Sequence, residues 1–84
     1  MKLVYFSWIR EQIGIGEEDV ALPAEVRNVA DLFEWLRTRG ESFENILQQP
    51  EIIRVALDHV HAQEPETSLS GVSEIALFPP MTGG

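Results

Sequence analysis

The sequence predicts an α+β domain in which a mixed sheet packs against one main helix and several short ones. Three segments support this class: an apolar strand-like segment at residues 2–9, an amphipathic segment at residues 28–40, and an apolar segment at residues 74–78. The 84 residues include 44% hydrophobic and 24% charged residues, ordinary values for a globular protein. We expect a single domain over residues 1–84, with residues 79–84 as a flexible projecting tail.

The first segment, KLVYFSWI, alternates two largely apolar sets, which predicts a strand that is covered on one face by the core and on the other by a partner or further structure. REQIGIG then predicts a short helical turn that ends at Gly14 or Gly16, because glycine tolerates the left-handed conformation that closes a helix. EEDVALP predicts a second, short strand that ends at Pro23, since proline cannot donate to a sheet ladder.

The clearest helix is NVADLFEWLRTRG. Asn28 is a good N-cap, Asp31 suits the positive end of the helix dipole, and Gly40 is the expected stop. The apolar residues repeat at the spacing of one buried stripe: Val29, Leu32, Phe33 and Leu36.

The second half of the chain predicts smaller elements. SFENILQQP is typical of a short helix capped by Ser42 and ended by Pro50, and IIRVALDHVHA predicts a strand or hairpin. A polar connection then leads to the last strand, EIALF. The predicted order of elements is that of the β-grasp, or ubiquitin-like, roll: strand, turn, strand, helix, short helix, strand or hairpin, and strand.

Composition excludes several function classes. The formal net charge is −8, so a basic surface for nucleic acid or for anionic lipid is missing. No apolar run approaches the roughly 20 residues of a membrane span, and we expect a cytoplasmic protein. The chain has no cysteine, which excludes disulfides and thiolate chemistry of its own.

Side chains that could support catalysis are few. His59 and His61 would share one face of a strand, but no third ligand converges on them, and we expect a solvated or partner-facing strand edge and no metal site. The acidic residues of the loops and strand starts are expected to form a solvated surface: Glu17, Glu18, Asp19, Glu64 and Glu66. Phosphate-binding and hydrolase motifs are absent from the sequence.

The sequence FPPMTGG, which begins with the last residue of the last strand, is the segment that indicates chemistry. Pro79 and Pro80 favour an extended, stiff backbone that leaves the sheet. Gly83 and Gly84 have no Cβ, so their backbone fits a channel too narrow for a side chain. A carboxylate at Gly84 would be an unhindered substrate for adenylation by a partner enzyme and for later attack by a nucleophile.

These motifs together resemble the small subunit of molybdopterin synthase, a ubiquitin-like sulfur carrier. The similarity runs through the opening KLVYFSWIREQIG, the helix VADLFEWLRTRG, the strand VALD and, most specifically, the ending EIALFPPMTGG. Asp58 stands where the family often has Asn, and GVSE stands where it often has a Gly-Asp pair.

The resemblance implies a mechanism in which this chain holds the reacting group and the large synthase subunit holds the catalytic side chains. A ubiquitin-activating-like adenylyltransferase uses ATP to adenylate Gly84, and a sulfur-transfer protein converts it to a thiocarboxylate. The tail then inserts into the large subunit of a 2:2 heterotetramer and donates sulfur to cyclic pyranopterin monophosphate. This tail consists of Pro79, Pro80, Met81, Thr82, Gly83 and Gly84. The chain itself binds no cofactor on this interpretation.

The same tail chemistry leaves other functions open. A related carrier could deliver sulfur to thiamine thiazole or to tRNA, and a ubiquitin-like modifier would form isopeptide bonds with lysines. A plain β-grasp domain with an incidental Gly-Gly ending is the remaining alternative. Activation of the tail is common to the first three, so the sequence alone does not separate them.

Strand alternation also predicts which residues meet a partner. The expected core set is Leu3, Tyr5, Ile75 and Leu77, because the opposite set shares its face with Lys2 and Glu74. A single helix stripe covers one face of the sheet. Phe6 and Phe78 are therefore expected to form an exposed apolar patch beside the tail, with His61 as a further interface residue.

Overall fold

A computed structural model describes residues 1–62 and 64–80 and confirms the β-grasp roll. Its strands are β1 (Lys2–Tyr5), β2 (Glu17–Asp19), β3 (Arg54–Leu57), β4 (Val60–His61) and β5 (Glu74–Phe78). Its helices are α1 (Ser7–Ile13), α2 (Val29–Arg37) and α3 (Glu41–Ile46), followed by a 3-10 helix, Pro50–Ile52. No helix in these two ranges is long and apolar enough to cross a membrane.

The five strands form one mixed sheet in the order β2-β1-β5-β3-β4. The central pair, β1 and β5, is parallel, with Lys2 opposite Glu74 and Tyr5 opposite Leu77. The other pairs are antiparallel. Because β1 and β5 run in the same direction, the segment after Phe78 leaves the sheet at the same end as the C-terminus of β1.

The helices cover one face of this sheet, and the predicted core set is confirmed. Leu3, Ile75 and Leu77 are 0% exposed and Tyr5 is 1% exposed. From α2, Leu32 and Leu36 are fully buried against them, whereas Phe33 is only partly buried. Ala76 and Phe78 of β5 point the other way and line a separate depression on the opposite face.

The first strand is shorter than the alternation predicted. It ends at Tyr5, and Phe6 is the N-cap of α1, which begins at Ser7 with a left-handed φ of 55°. Ile9, predicted within the strand, is fully buried from this helix instead. The helix ends at Gly14, the first of the two candidate glycines, whose φ is 96° and whose N–H donates to the Arg10 carbonyl at 2.8 Å.

The main helix begins as predicted but ends earlier. The Asn28 side chain accepts a hydrogen bond from the Asp31 N–H at 2.8 Å, which confirms the N-cap. The helix stops at Arg37, where Thr38 is the C-cap and its hydroxyl donates to the Trp35 carbonyl. The prediction that Gly40 ends this helix is wrong.

Gly40 instead begins the next helix. It is the N-cap of α3, with a φ of 152°, and the predicted cap at Ser42 is wrong because the helix already begins at Glu41. Pro50 does not end α3, which stops at Ile46; it opens the 3-10 helix, where its missing N–H is unneeded.

β3 and β4 form a hairpin, and the prediction that His59 lies on a strand is wrong. Asp58 and His59 are its two turn residues, with φ values of 48° and 72°, as a type I′ turn requires. The Asp58 carboxylate accepts hydrogen bonds from the N–H groups of Ser73 (3.0 Å) and Glu74 (2.9 Å). The turn is thereby fastened to the start of β5.

Candidate docking surface

The uncovered side of the sheet forms a shallow depression of about 1020 Å³. We call this surface the open face. Its apolar lining comes from α1, the 3-10 helix, three strand positions and the segment after β5: Phe6, Trp8, Ile52, Ala56, Ala76, Phe78, Pro79 and Pro80. A concave, largely apolar surface of this kind suits contact with a partner protein.

Phe6 is the most exposed aromatic residue of the open face, with 49% of its surface accessible. Its backbone is nevertheless fixed, because its N–H donates to the Leu77 carbonyl at 3.1 Å and its carbonyl accepts from the Arg10 N–H at 3.3 Å. The ring is therefore presented to solvent from a rigid position beside the end of β5.

Phe78 lies near Phe6 on the same face and is partly buried. Its ring centroid is 5.1 Å from that of His61, with the rings tilted by 51°. His61 belongs to the exposed edge strand β4. Because its ring lies this close, it covers part of the Phe78 ring. The structure thus brings together the three residues that the sequence analysis assigned to a partner interface.

The opposite end of the open face is charged. Lys2 forms ion pairs with Glu17 (3.4 Å) and Glu74 (3.9 Å), and His59 Nε2 lies 3.7 Å from a Glu74 carboxylate oxygen. The open face therefore changes from charged, at the start of β1 and β5, to apolar, where the chain leaves the sheet. Such a gradient gives a docking partner both a contact area and an orientation.

The tail is described only at its beginning. Pro79 and Pro80 are partly buried and line the depression beside Phe78. The predictions for Met81, Thr82, Gly83 and Gly84 lie outside the described residues. Their roles in activation and insertion remain predictions.

His59 and His61 are the two histidines of the chain. Within residues 1–62 and 64–80, no group of three or more His, Cys, Asp or Glu side chains could hold a metal ion. His59 and His61 both line the open face, but from a turn and a strand, and Glu74 approaches only His59.

One predicted surface acid has a different role. Glu18 accepts hydrogen bonds from both Arg39 terminal nitrogens, at 2.6 and 2.9 Å, and from the Tyr5 hydroxyl. The Arg39 hydrogen bonds lower the pKa of Glu18, while burial raises the pKa of Tyr5 well above its ordinary range. The expectation that Glu18 is simply solvated is wrong, because this triad joins β1, β2 and the segment after α2.

Two residues of the open face were not predicted from the sequence. Ile52, from the 3-10 helix, and Ala56, from β3, extend the apolar surface beyond Phe6 and Phe78. Ala56 could have been found from strand alternation, since it is opposite Ala76 in the β3–β5 register. Ile52 had no comparable signal, because a three-residue helix leaves no periodic pattern.

Solved structures confirm the fold. The chain is similar to SAMP1 from Haloferax volcanii, with a TM-score of 0.72 and 25% identity over 100% of this chain and 98% of that one. A putative molybdopterin converting factor, subunit 1, from Pyrococcus furiosus has a TM-score of 0.74 and 24% identity, with 95% of each chain covered, and shows the fold alone.

Comparison by sequence gives two further results. No curated protein sequence matches the chain. The family model of the ThiS family matches residues 3–84, which includes the whole sheet except Lys2, together with the Gly-Gly ending. With this match and the ubiquitin-like fold in agreement, the chain belongs to the ThiS family and is a ubiquitin-like sulfur carrier.

Proposed function

We propose that this chain is the sulfur-carrying small subunit of a cytoplasmic molybdopterin synthase and that Gly84 is its reacting residue. The observation that carries the proposal is the apolar end of the open face, where Phe6 and Phe78 flank Pro79 and Pro80. The motif EIALFPPMTGG, the most specific part of the resemblance to that subunit, contains three residues of this apolar end: Phe78, Pro79 and Pro80.

The proposed chemistry begins with the Gly84 carboxylate. One of its oxygens attacks the α-phosphorus of ATP on a partner adenylyltransferase, so that an acyl-phosphate bond forms and pyrophosphate leaves. Sulfur at the sulfide level, delivered by a sulfur-transfer protein, then attacks the carbonyl carbon and AMP leaves. The product is a C-terminal thiocarboxylate, and once its sulfur has been donated to the pterin precursor, water restores the carboxylate.

The open face serves as the docking surface for the large subunit in this proposal. Apolar contact at Phe6 and Phe78 would bury aromatic area, the type of contact that dominates many protein interfaces. The stiff Pro79-Pro80 pair would then direct the following residues into the partner's active site. Binding energy is thus supplied by the folded domain, which leaves the glycines free to react.

The test is reconstitution with the large subunit and the pterin precursor. Full-length protein purified from cells with a sulfuration pathway should be heavier than the apo form by the difference between one sulfur and one oxygen atom, and should form molybdopterin. Deletion of Gly84 should abolish product while leaving the unfolding curve unchanged, since chain ends tolerate change. Product from the Gly84-deleted protein would contradict the proposal.

The protein that co-purifies with this chain distinguishes the proposed function from the related ones. Co-purification of a pterin-synthase large subunit supports the proposal. Co-purification of a thiazole synthase or a tRNA-thiolating enzyme would instead assign the same tail chemistry to another acceptor. A ladder of lysine conjugates that depends on Gly84 would identify a protein modifier.

A further inference from the structure

The chain is unusually poor in primary amines. Of its six basic residues other than histidine, five are arginines, and Lys2 is the only lysine. Lys2 is held between two carboxylates, those of Glu17 at 3.4 Å and Glu74 at 3.9 Å. The amino group of Met1 donates to the Val20 carbonyl at 3.0 Å.

Both amines lie at the end of the sheet opposite the tail. Lys2 pairs with Glu74 at the start of β5, whereas the tail follows the end of that strand. Six residues separate Glu74 from Pro80, which corresponds to roughly 20 Å of extended chain. The four residues after Pro80 reach about 13 Å when fully extended. Even when fully extended, these four residues are therefore shorter than the stretch of sheet that separates Pro80 from the backbone of Met1 and Lys2.

The basic residue beside the tail is an arginine. Arg54 is directly opposite Phe78 in the β3–β5 register and is exposed, so it lies at the point where the tail leaves the sheet. A guanidinium remains protonated at all working pH values and is a poor nucleophile, whereas a lysine amine attacks activated carbonyl groups once it loses a proton.

We propose that this placement protects the activated tail from acylating its own domain, and that arginine at position 54 is a specificity-determining residue in that protection. The reaction avoided is attack of an amine on the Gly84 carbonyl carbon, in which a C–N bond forms, the bond to AMP or sulfur breaks with the leaving group taking the electron pair, and the nitrogen loses a proton to water. The resulting amide would end the carrier's cycle permanently.

The inference rests on the proposed function, because it takes Gly84 as the activated group, but its test needs no partner enzyme. The full chain is prepared with a C-terminal 2-mercaptoethanesulfonate thioester at Gly84, a defined electrophile at the same carbonyl carbon. Intact mass then distinguishes two products: the hydrolysed acid, and a cyclic amide that is lighter than the acid by one water.

Wild-type protein is expected to hydrolyse only. The variant Arg54→Lys keeps the charge but places an amine beside the tail, and it should raise the cyclic product by roughly tenfold or more, because the reaction becomes intramolecular. Arg27→Lys is the matched control: Arg27 is also exposed but lies beside Met1, at the far end of the molecule, and this variant should behave as wild type.

Two results would overturn the inference: cyclic amide from wild type at the rate seen with Arg54→Lys, or no cyclic amide from Arg54→Lys. Neither depends on whether the tail is a natural substrate for adenylation, which ATP–pyrophosphate exchange with the activating enzyme measures separately. Failure of that exchange would count against the proposed function and leave the thioester result intact.

Discussion

At the scale of single residues, the Tyr5–Glu18–Arg39 triad illustrates how a surface acid can support the fold. The Glu18 side chain is only 17% exposed, and Arg39 stacks over the rings of Trp35 and Phe43, at 5.2 and 5.0 Å from their centroids. Hydrogen bonds that involve charged groups contribute more than neutral ones, so this triad is a stabilising contact between the β1–β2 hairpin and the helices.

The triad predicts an acid-dependent loss of stability. Arg39 lowers the pKa of Glu18 in the folded protein, so its contribution is complete above the unfolded value near 4.3 and is lost as the pH falls through the folded value. At pH 7, Glu18→Gln should cost about 1 to 3 kcal/mol. Urea unfolding at several pH values should show this difference shrinking below about pH 4; a constant difference would contradict the prediction.

Gly83 provides a second residue-scale prediction, drawn from the sequence. If the tail enters a narrow channel of the activating enzyme, Gly83→Val should slow adenylation, because the added side chain meets the channel wall and the freedom of φ is lost. Binding to the large subunit through the open face should change little. ATP–pyrophosphate exchange measures the first effect and a binding titration the second; unchanged exchange would show that the channel is wide.

At the scale of elements, local signals explain which boundaries were predicted and which were not. Asn28 was recognised because a short polar side chain before an amphipathic run caps its own helix. The end of β1 was missed because Phe6 continues the alternation of Val4, and the break comes from the left-handed backbone of Ser7, a conformation that serine gives no sign of adopting. The β3–β4 turn contains no glycine, so its usual signal was missing too.

Strand alternation made the existence of the open face predictable, but it did not predict all of the residues that line it. Alternation assigns Phe78 and Ala76 to one side of β5 whatever the rest of the chain does. Placing His59 and Ile52 on that side requires the turn and the 3-10 helix, which depend on tertiary contacts. The position of Phe78 on the open face was therefore predictable, and the outline of the depression was not.

The β3–β4 turn predicts a stability effect at the element scale. Asp58 adopts a φ of 48° and accepts two backbone hydrogen bonds from Ser73 and Glu74, so its side chain joins the hairpin to β5. Asp58→Ala should cost about 1 to 3 kcal/mol, since two donors lose their acceptor and alanine disfavours positive φ. Asp58→Asn, the matched control, should cost less, because asparagine tolerates this φ and keeps one acceptor oxygen. Urea denaturation of both variants measures this, and equal losses would contradict the account.

At the scale of the whole molecule, the two faces of the sheet have different roles, because the main helix covers only one of them. The covered face holds the fully buried residues of β1 and β5, and the open face holds Phe6 and Phe78, which are not among the residues of the core cluster. Under the proposed function, folding and docking therefore depend on neighbouring residues of one strand that point in opposite directions. Such separation lets the docking surface be tested without unfolding the protein.

Leu77 and Phe78 give the sharpest test of that division. Leu77 is 0% exposed, so Leu77→Ala should cost roughly 2 to 5 kcal/mol of stability, the usual result of truncating a buried side chain. Phe78 belongs to the open face, and Phe78→Ala should weaken the complex with the large subunit by about 2 kcal/mol or more while barely changing the melting temperature. Thermal melts and binding titrations of both variants separate the two effects. A Phe78→Ala protein that melts early yet binds normally would mean that the open face stabilises the fold and that the partner docks elsewhere.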